Sequence, residues 1–257
     1  MKFLQLGSSG NDVRRWQTFL TGQGLFTEVI NAVFDEATKL ASQAFQAAHG
    51  LEPDGKVGDK TIGAAMMLGF GVVTDDSVAK DAPNWPPKPN FPPLTSNAER
   101  AAIFGKFAFK SKPLPGSPEN IEVTDSWAKD NIVMAMVPQL IAIKGSDKVS
   151  FHKKGKAQLE KMWSDWEKAG LLHLVLTWSG SYVPRFIRGS RTILSNHSFG
   201  TAFDINVPWN MLGTVPALVG RKGSVRELVA IANQNGFYWG GHFSRQDGMH
   251  FEVAKVK

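Results

Sequence analysis

Ala202-Phe203-Asp204-Ile205-Asn206-Val207 alternates bulky apolar side chains with small or polar ones. A period of two places Phe203, Ile205 and Val207 on one face of a strand and Ala202, Asp204 and Asn206 on the other, so Asp204 is expected to face a polar surface or cleft. Met249-His250-Phe251-Glu252-Val253 alternates in the same way, with His250 and Glu252 opposite Met249, Phe251 and Val253. If the two strands are neighbours, His250 is a candidate partner for Asp204. His197 precedes Asp204 by seven positions in the loop Ser195-Asn196-His197-Ser198-Phe199-Gly200, where Gly200 allows the chain to fold back.

Outward from these strands, residues 96–257 alternate helical and extended patterns, which predicts an α+β domain with a small antiparallel sheet and flanking helices. Gln158 to Lys168 carries Leu159, Met162, Trp163 and Trp166 on one face and stops at Gly170, and its tryptophan pair is assigned to the core rather than to a sugar platform. A strand is expected from Leu171 to Trp178. Ser224-Val225-Arg226-Glu227 reads as a capping box opening a helix, with Leu228, Val229 and Ala232 inward and Gly236 at its end.

Upstream, residues 81–93 read Asp-Ala-Pro-Asn-Trp-Pro-Pro-Lys-Pro-Asn-Phe-Pro-Pro, and prolines at this density exclude helix and sheet. At roughly 3.1 Å per residue, a polyproline run of this length reaches about 40 Å, a semi-rigid spacer between independent domains. Before it, three helical patterns predict an all-α bundle. Val13, Trp16, Phe19 and Leu20 follow an Asn11-Asp12 cap and end at Gly22 and Gly24. Ala37, Leu40, Ala41, Ala44, Phe45 and Ala48 form a second stripe with Asp35 as cap and Gly50 as stop, and a third pattern starts near Asp59 with Ile62, Ala65 and Met66. The expected division is 1–72 for the helical domain, 73–95 for the linker and 96–257 for the α+β domain.

The chain has 257 residues, 42% of them hydrophobic, enough for two cores. It contains no cysteine, which excludes disulfides, thiolate metal sites and a thiol nucleophile; any metal must sit on His, Asp or Glu. No window is apolar enough to span a bilayer, and the opening Met1-Lys2-Phe3-Leu4-Gln5-Leu6-Gly7 lacks the apolar stretch of a signal peptide, so a soluble, unprocessed product is expected. The formal charge of +6 favours anionic partners, but no motif or basic stripe supports nucleic-acid binding. Two imidazoles and a carboxylate on His197, Asp204 and His250 would leave a fourth position of a zinc ion open for hydrolysis, although spacing alone does not separate such a site from hydrogen-bonded surface residues.

Two resemblances add to these readings. Leu6-Gly7-Ser8-Ser9-Gly10-Asn11-Asp12-Val13, Trp16-Gln17, Phe34-Asp35, Phe45-Gln46, Gly50-Leu51, Asp54-Gly55 and Val57-Gly58 resemble, in order, the type 1 peptidoglycan-binding domain. Ser195 to Asp204, Gly236-Phe237-Tyr238-Trp239-Gly240-Gly241 and Asp247-Gly248-Met249-His250-Phe251-Glu252 resemble the SxHxxGxAxD, GxxWGG and (D/E)xxHFE signatures of zinc D-Ala-D-Ala carboxypeptidases and L-alanyl-D-glutamate endopeptidases. The second resemblance implies Zn2+ on His197, Asp204 and His250, with Asp247 as general base. It also implies an oxyanion-stabilising arginine upstream. Arg185 in Ser179-Gly180-Ser181-Tyr182-Val183-Pro184-Arg185 is the choice, but this stretch departs from the family's SGYR spacing, which leaves Arg188 and Arg191 open. His242 is expected to line the pocket or contact substrate without ligating, and His49, His152 and His173 lie in no motif.

Together these imply a peptidoglycan hydrolase that cleaves stem-peptide amide bonds. Asp rather than Glu at position 247 resembles the L-alanyl-D-glutamate endopeptidase branch. The expected protein is a monomeric phage endolysin with peptidoglycan as partner, no nucleic acid and no membrane insertion, made in the host cytoplasm and acting in the periplasm or cell wall. A bacterial D,D-carboxypeptidase of wall remodelling and a non-catalytic wall-binding protein are the alternatives.

Overall fold

A computed structural model of the chain describes residues 3–68, 70 and 85–257. Two hydrophobic cores organise them, one gathered from residues between Leu4 and Phe70, the other from residues between Phe104 and Val253. Residues 73–84 of the expected linker lie outside the described residues.

The first core is enclosed by α1 (Asn11–Gly22), α2 (Glu36–Ala48) and α3 (Asp59–Met67). Gly10, not the expected Asn11-Asp12 pair, occupies the cap position of α1. Asp35 caps α2 as expected, its carboxylate accepting the Thr38 N–H at 2.9 Å. The buried face of α2 is Thr38, Ala41, Ser42, Phe45 and Gln46, whereas Leu40 of the predicted apolar stripe is 63% exposed. Hydrogen bonding explains the rotation. Trp16 Nε1 donates to Ser42 Oγ at 2.8 Å, Gln17 Nε2 to Thr38 Oγ1 at 2.9 Å, and Gln46 Nε2 to the Lys56 carbonyl at 2.8 Å. Buried donors must be paired, so the face able to pair them turns inward, a requirement that an apolar count does not register.

The second unit begins with α4 (Asn97–Phe104), opened by a Ser96/Glu99 capping box. There follow the hairpin of β1 (Phe109–Ser111) and β2 (Ile121–Val123), then α5 (Trp127–Asn131). Next, β3 (Ile132–Met136) pairs antiparallel with β4 (Lys148–His152), with α6 (Ile141–Lys144) between them. After α7 (Lys156–Lys168) come β5 (Ala202–Asp204), α8 (Val229–Gln234), β6 (Phe237–Trp239) and β7 (His250–Val253). The last three strands form an antiparallel sheet in the order β5-β7-β6. Leu159, Met162, Trp163 and Trp166 of α7 are fully buried against its apolar face, where Phe203 stacks on Trp178 at 5.6 Å and on Phe251 at 5.5 Å between ring centroids. The tryptophan pair is core, as expected. Aromatic packing on one face of β5 and β7 thereby orients Asp204 and His250 toward the other.

Three local expectations change. Leu171 to Trp178 is not a strand: a 3-10 turn covers Leu172–Leu174, and Leu176 and Thr177 give their N–H groups to Asn206 Oδ1 at 2.7 and 3.1 Å. The Asn206 side chain takes the place of a partner strand, which period-two counting cannot foresee. Asn206 itself has φ 53°, so the chain turns at Val207, which leaves Phe203 and Ile205 as the core-facing pair. Ser224 Oγ does donate to Glu227, yet Arg226–Leu228 is a 3-10 turn and the α-helix starts only at Val229.

The final part of the expected semi-rigid spacer packs on the second core. Trp85 lies 5.5 Å from Trp239 with the Arg226 guanidinium 4.4 Å from its ring centroid, and the Pro87 carbonyl accepts from Asn233 Nδ2 at 3.1 Å. The two units also meet directly, the Gly116 N–H donating to the Gly50 carbonyl at 2.5 Å.

His152 braces the loop that carries His197. Its backbone N–H donates to the Gly200 carbonyl at 2.7 Å, its Nε2 donates to the Phe104 carbonyl at 3.1 Å and its Nδ1 accepts from the Lys154 N–H. Burial pushes this imidazole down from 6.5 to about 4. An unfolded chain would bind the proton first, so the contribution is complete above pH 6.5 and is lost as pH falls toward 4. The expected loss is about 3 kcal/mol. Unfolding titrations across this window should show the slope in the native chain and a shallower one in His152→Gln; equal slopes would contradict the assignment.

Candidate metal centre

The site is assembled from one loop and two paired strands. Ser195 caps the turn Asn196–Phe199, its hydroxyl accepting the His197 N–H at 3.2 Å, and Gly200 reverses the chain with φ +63°. A methyl group there would lie 2.7 Å from Ile132 Cδ1 and 3.2 Å from the His152 nitrogen, so only glycine fits the reversal. His197 Nδ1 donates to the Ser181 carbonyl at 2.7 Å, which leaves Nε2 as the free lone pair. The β5–β7 register places Asp204 opposite His250. His250 Nε2 donates to Glu252 at 3.0 Å, so Nδ1 is the nitrogen turned to Asp204.

His197 Nε2, Asp204 Oδ1 and His250 Nδ1 form a triangle with sides of 3.2, 3.0 and 3.2 Å. Ligands at about 2.0–2.2 Å around a tetrahedral ion stand about 3.3–3.6 Å apart, so outward movements of a few tenths of an ångström would seat a divalent cation. Both imidazoles are buried and their remaining nitrogens are held by Ser181 and Glu252, which orients ligand lone pairs and raises their basicity. The residues therefore fit a metal ion, and three protein ligands leave one corner of a tetrahedron open.

The electrostatics agree with cation affinity. Burial alone would raise the Asp204 carboxyl, but the charges and hydrogen bonds of His197 and His250 hold it well below its ordinary range. Burial opposes a charge on His250, and hydrogen bonds to Asp204 and Glu252 overcome it, pushing the imidazole up to about 10. The pair thus holds a proton where a divalent ion would replace it. Asp247 is pushed up to about 7, by burial first, with Asp204 and Asp59 adding and His250 opposing. Its Oδ1 has no hydrogen-bond partner among the described residues, and it lines a cavity of about 580 Å³ together with Asp204 and His250.

The three candidate arginines part company. Arg185 lines that cavity within electrostatic reach of Asp204 and Asp247. Arg188 also lines it but is tied to Glu119 at 2.7 Å, while Arg191 is exposed and does not line it. His242 lines the cavity, packed 5.1 Å from Trp239, and is not in the ligand cluster. His49 lies against Phe45 in the helical unit and His173 is exposed.

Sequence reasoning missed the supports behind the candidate ligands. Asn196 donates to Glu252 and accepts from Arg100 Nε at 2.9 Å, so a buried chain runs from α4 to His250. The shared strand face of His250 and Glu252 was a usable signal for one link. Nothing in the sequence points to Arg100, 96 positions from Asn196. Asp59, at the start of α3, lines the same cavity, whereas its place in the sequence signals only a helix start.

Residues 188–253 match the family model described as D-alanyl-D-alanine carboxypeptidase, and residues 9–65 match that of a peptidoglycan binding domain. A comparison with curated proteins finds no match. The peptidase match covers His197, Asp204, His242, Asp247 and His250, and the other covers most of the three-helix unit. One segment of the chain is thus similar to a peptidoglycan-binding domain and another to D-alanyl-D-alanine carboxypeptidases, and with the His197, Asp204 and His250 cluster these matches support a peptidoglycan-hydrolysing metallopeptidase.

Proposed function

We propose that the chain is a zinc-dependent L-alanyl-D-glutamate endopeptidase, active as a monomer in the cell wall in the manner of an endolysin. The observation that carries this reading is the convergence of His197 Nε2, Asp204 Oδ1 and His250 Nδ1 at a cavity that Asp204, His250 and Asp247 line. Zinc held by these three residues supplies a Lewis acid that acidifies water toward neutral pH and polarises the scissile carbonyl.

Asp247, buried and unpaired at Oδ1, takes the proton from the attacking water and returns it to the departing amine nitrogen, so the carboxylate is restored at the end of each cycle. Arg185 places a fixed positive charge at the cavity wall for the oxyanion that develops on the amide oxygen. Arg188 is less suited, because its guanidinium is already committed to Glu119. Ser181 and Glu252 hold the two imidazoles, and Asn196 with Arg100 holds Glu252. The peptidoglycan-binding unit raises the local substrate concentration.

The D,D-carboxypeptidase reading is favoured by the description of the matched family. Digesting purified peptidoglycan and sequencing the fragments by mass spectrometry separates the two. New amino termini at D-glutamate are expected; release of free D-alanine would assign the carboxypeptidase instead, and no release would leave only wall binding.

A further inference from the structure

We infer that the seam between the two units is a glycan subsite, which holds the sugar strand of peptidoglycan while the attached stem peptide enters the metal-centre cavity. This rests on the endopeptidase reading and extends it. A second cavity, of about 930 Å³, lies between the units and adjoins the first. Phe3, Leu51 and Lys60 line it from the peptidoglycan-binding side, and Gly116, Pro208 and Met211 from the peptidase side. Asp59 lines both cavities, and Met211 of the seam is followed directly by Leu212 of the catalytic cavity. The two spaces therefore meet at Asp59 and at the Met211–Leu212 step.

The seam is a packed junction. Besides the Gly116–Gly50 hydrogen bond, a methyl group on Gly63 of α3 would meet Glu119 Oε1 at 2.8 Å and Arg188 Cδ at 3.0 Å. One on Gly189 would meet Met66 at 3.0 Å, and Arg245 Nη1 reaches Met66 Sδ at 3.6 Å. Glycines at these two places allow α3 to sit directly on the peptidase unit, beside the ion pair of Arg188 and Glu119.

The chemistry of the substrate selects the occupant. The L-alanine of the stem is attached to the lactyl group of the muramic sugar, so the L-alanyl-D-glutamate bond lies one residue from the glycan. The terminal D-alanyl bond lies four residues away, about 14 Å of extended chain. An enzyme cutting the nearer bond must seat a sugar immediately beside its catalytic groups, and Asp59 marks a cavity that adjoins them. Its lining suits a pyranose. Phe3, Leu51 and Met211 offer apolar surface to the C–H faces of the ring, and Lys60 and Asp59 offer hydrogen bonds to hydroxyl and acetamido groups. The volume is within the range of about 300–1,000 Å³ typical of small-ligand sites and accommodates a disaccharide.

The test uses the full chain and two probes. Peptide-free N-acetylated glycan strands, titrated by NMR, are expected to shift the backbone resonances of Lys60, Gly116 and Met211. Pro208→Trp, which fills the seam from an exposed position, and Lys60→Glu are each expected to weaken that binding about tenfold. Hydrolysis then supplies an independent comparison, in which a disaccharide-bearing stem peptide should be cut with at least about tenfold higher kcat/KM than the same peptide without sugar, and the two variants should shrink this ratio. Glycan shifts confined to other surfaces, or binding unaffected by either variant, would overturn the subsite. Glycan binding at the seam combined with release of free D-alanine would uphold the subsite and overturn the endopeptidase assignment, so the two failures are distinguishable.

Discussion

Asp247→Asn is expected to lower kcat on peptidoglycan by about a thousandfold or more while leaving one metal ion bound per chain. The substitution keeps the shape of the side chain and removes its capacity to accept a proton. The turn that presents it, with the Asp247 N–H on the Gly240 carbonyl at 3.0 Å and the His250 N–H on the Asp247 carbonyl at 3.1 Å, uses only backbone groups and is unaffected. KM should change little, because the lost interaction belongs to the proton transfer and not to ground-state binding. Parallel kinetics and metal analysis check both halves. Activity within a few-fold of the native chain would remove Asp247 as the base, and loss of metal would assign it a structural role.

His197→Ala should instead lose metal and turnover together. One corner of the ligand triangle disappears, and the two remaining ligands, Asp204 and His250, stand only 3.0 Å apart with no third anchor. Metal affinity is expected to fall by more than about a hundredfold, beyond what loss of a supporting hydrogen bond costs. Chelation of the native chain should reproduce the inactive state, and added zinc should restore activity to the native chain but not to the variant at micromolar metal. The fold should survive, since the aromatic core behind β5 and β7 does not depend on the imidazole. Retained zinc in His197→Ala would place the ion elsewhere.

The proposed ligands were legible because strand periodicity and spacing are local properties. Alternation in Ala202 to Val207 and in Met249 to Val253 put Asp204 and His250 on facing sides, and the β5–β7 register pairs them. The buried faces of α1 and α7 were legible for the same reason, because large apolar residues at helical spacing dominate them even though each also buries a hydrogen-bonded glutamine, Gln17 and Gln158. Expectations failed where a polar side chain supplies what a backbone would. Asn206 satisfies the N–H groups of Leu176 and Thr177 and so replaces a strand, and Ser42 and Gln46 turn α2 away from Leu40. Arg100 and Asp59 were illegible for a different reason: each reaches the cavity from an element remote in sequence, and only the tertiary packing of α4 and α3 brings them there.

The same distinction accounts for the arginines. The extra residues between Ser179 and Arg185 obscured which guanidinium faces the candidate ligands, since three arginines within seven positions share similar local surroundings in sequence. Glu119, far upstream, separates them by taking Arg188.

Anomalous diffraction at the zinc edge, from crystals of the zinc-loaded chain, addresses the proposed centre most directly. One strong peak bonded to His197 Nε2, Asp204 Oδ1 and His250 Nδ1, with its fourth position facing Asp247, is the expected result. A zinc-loaded, active chain with no peak among those three atoms would contradict it.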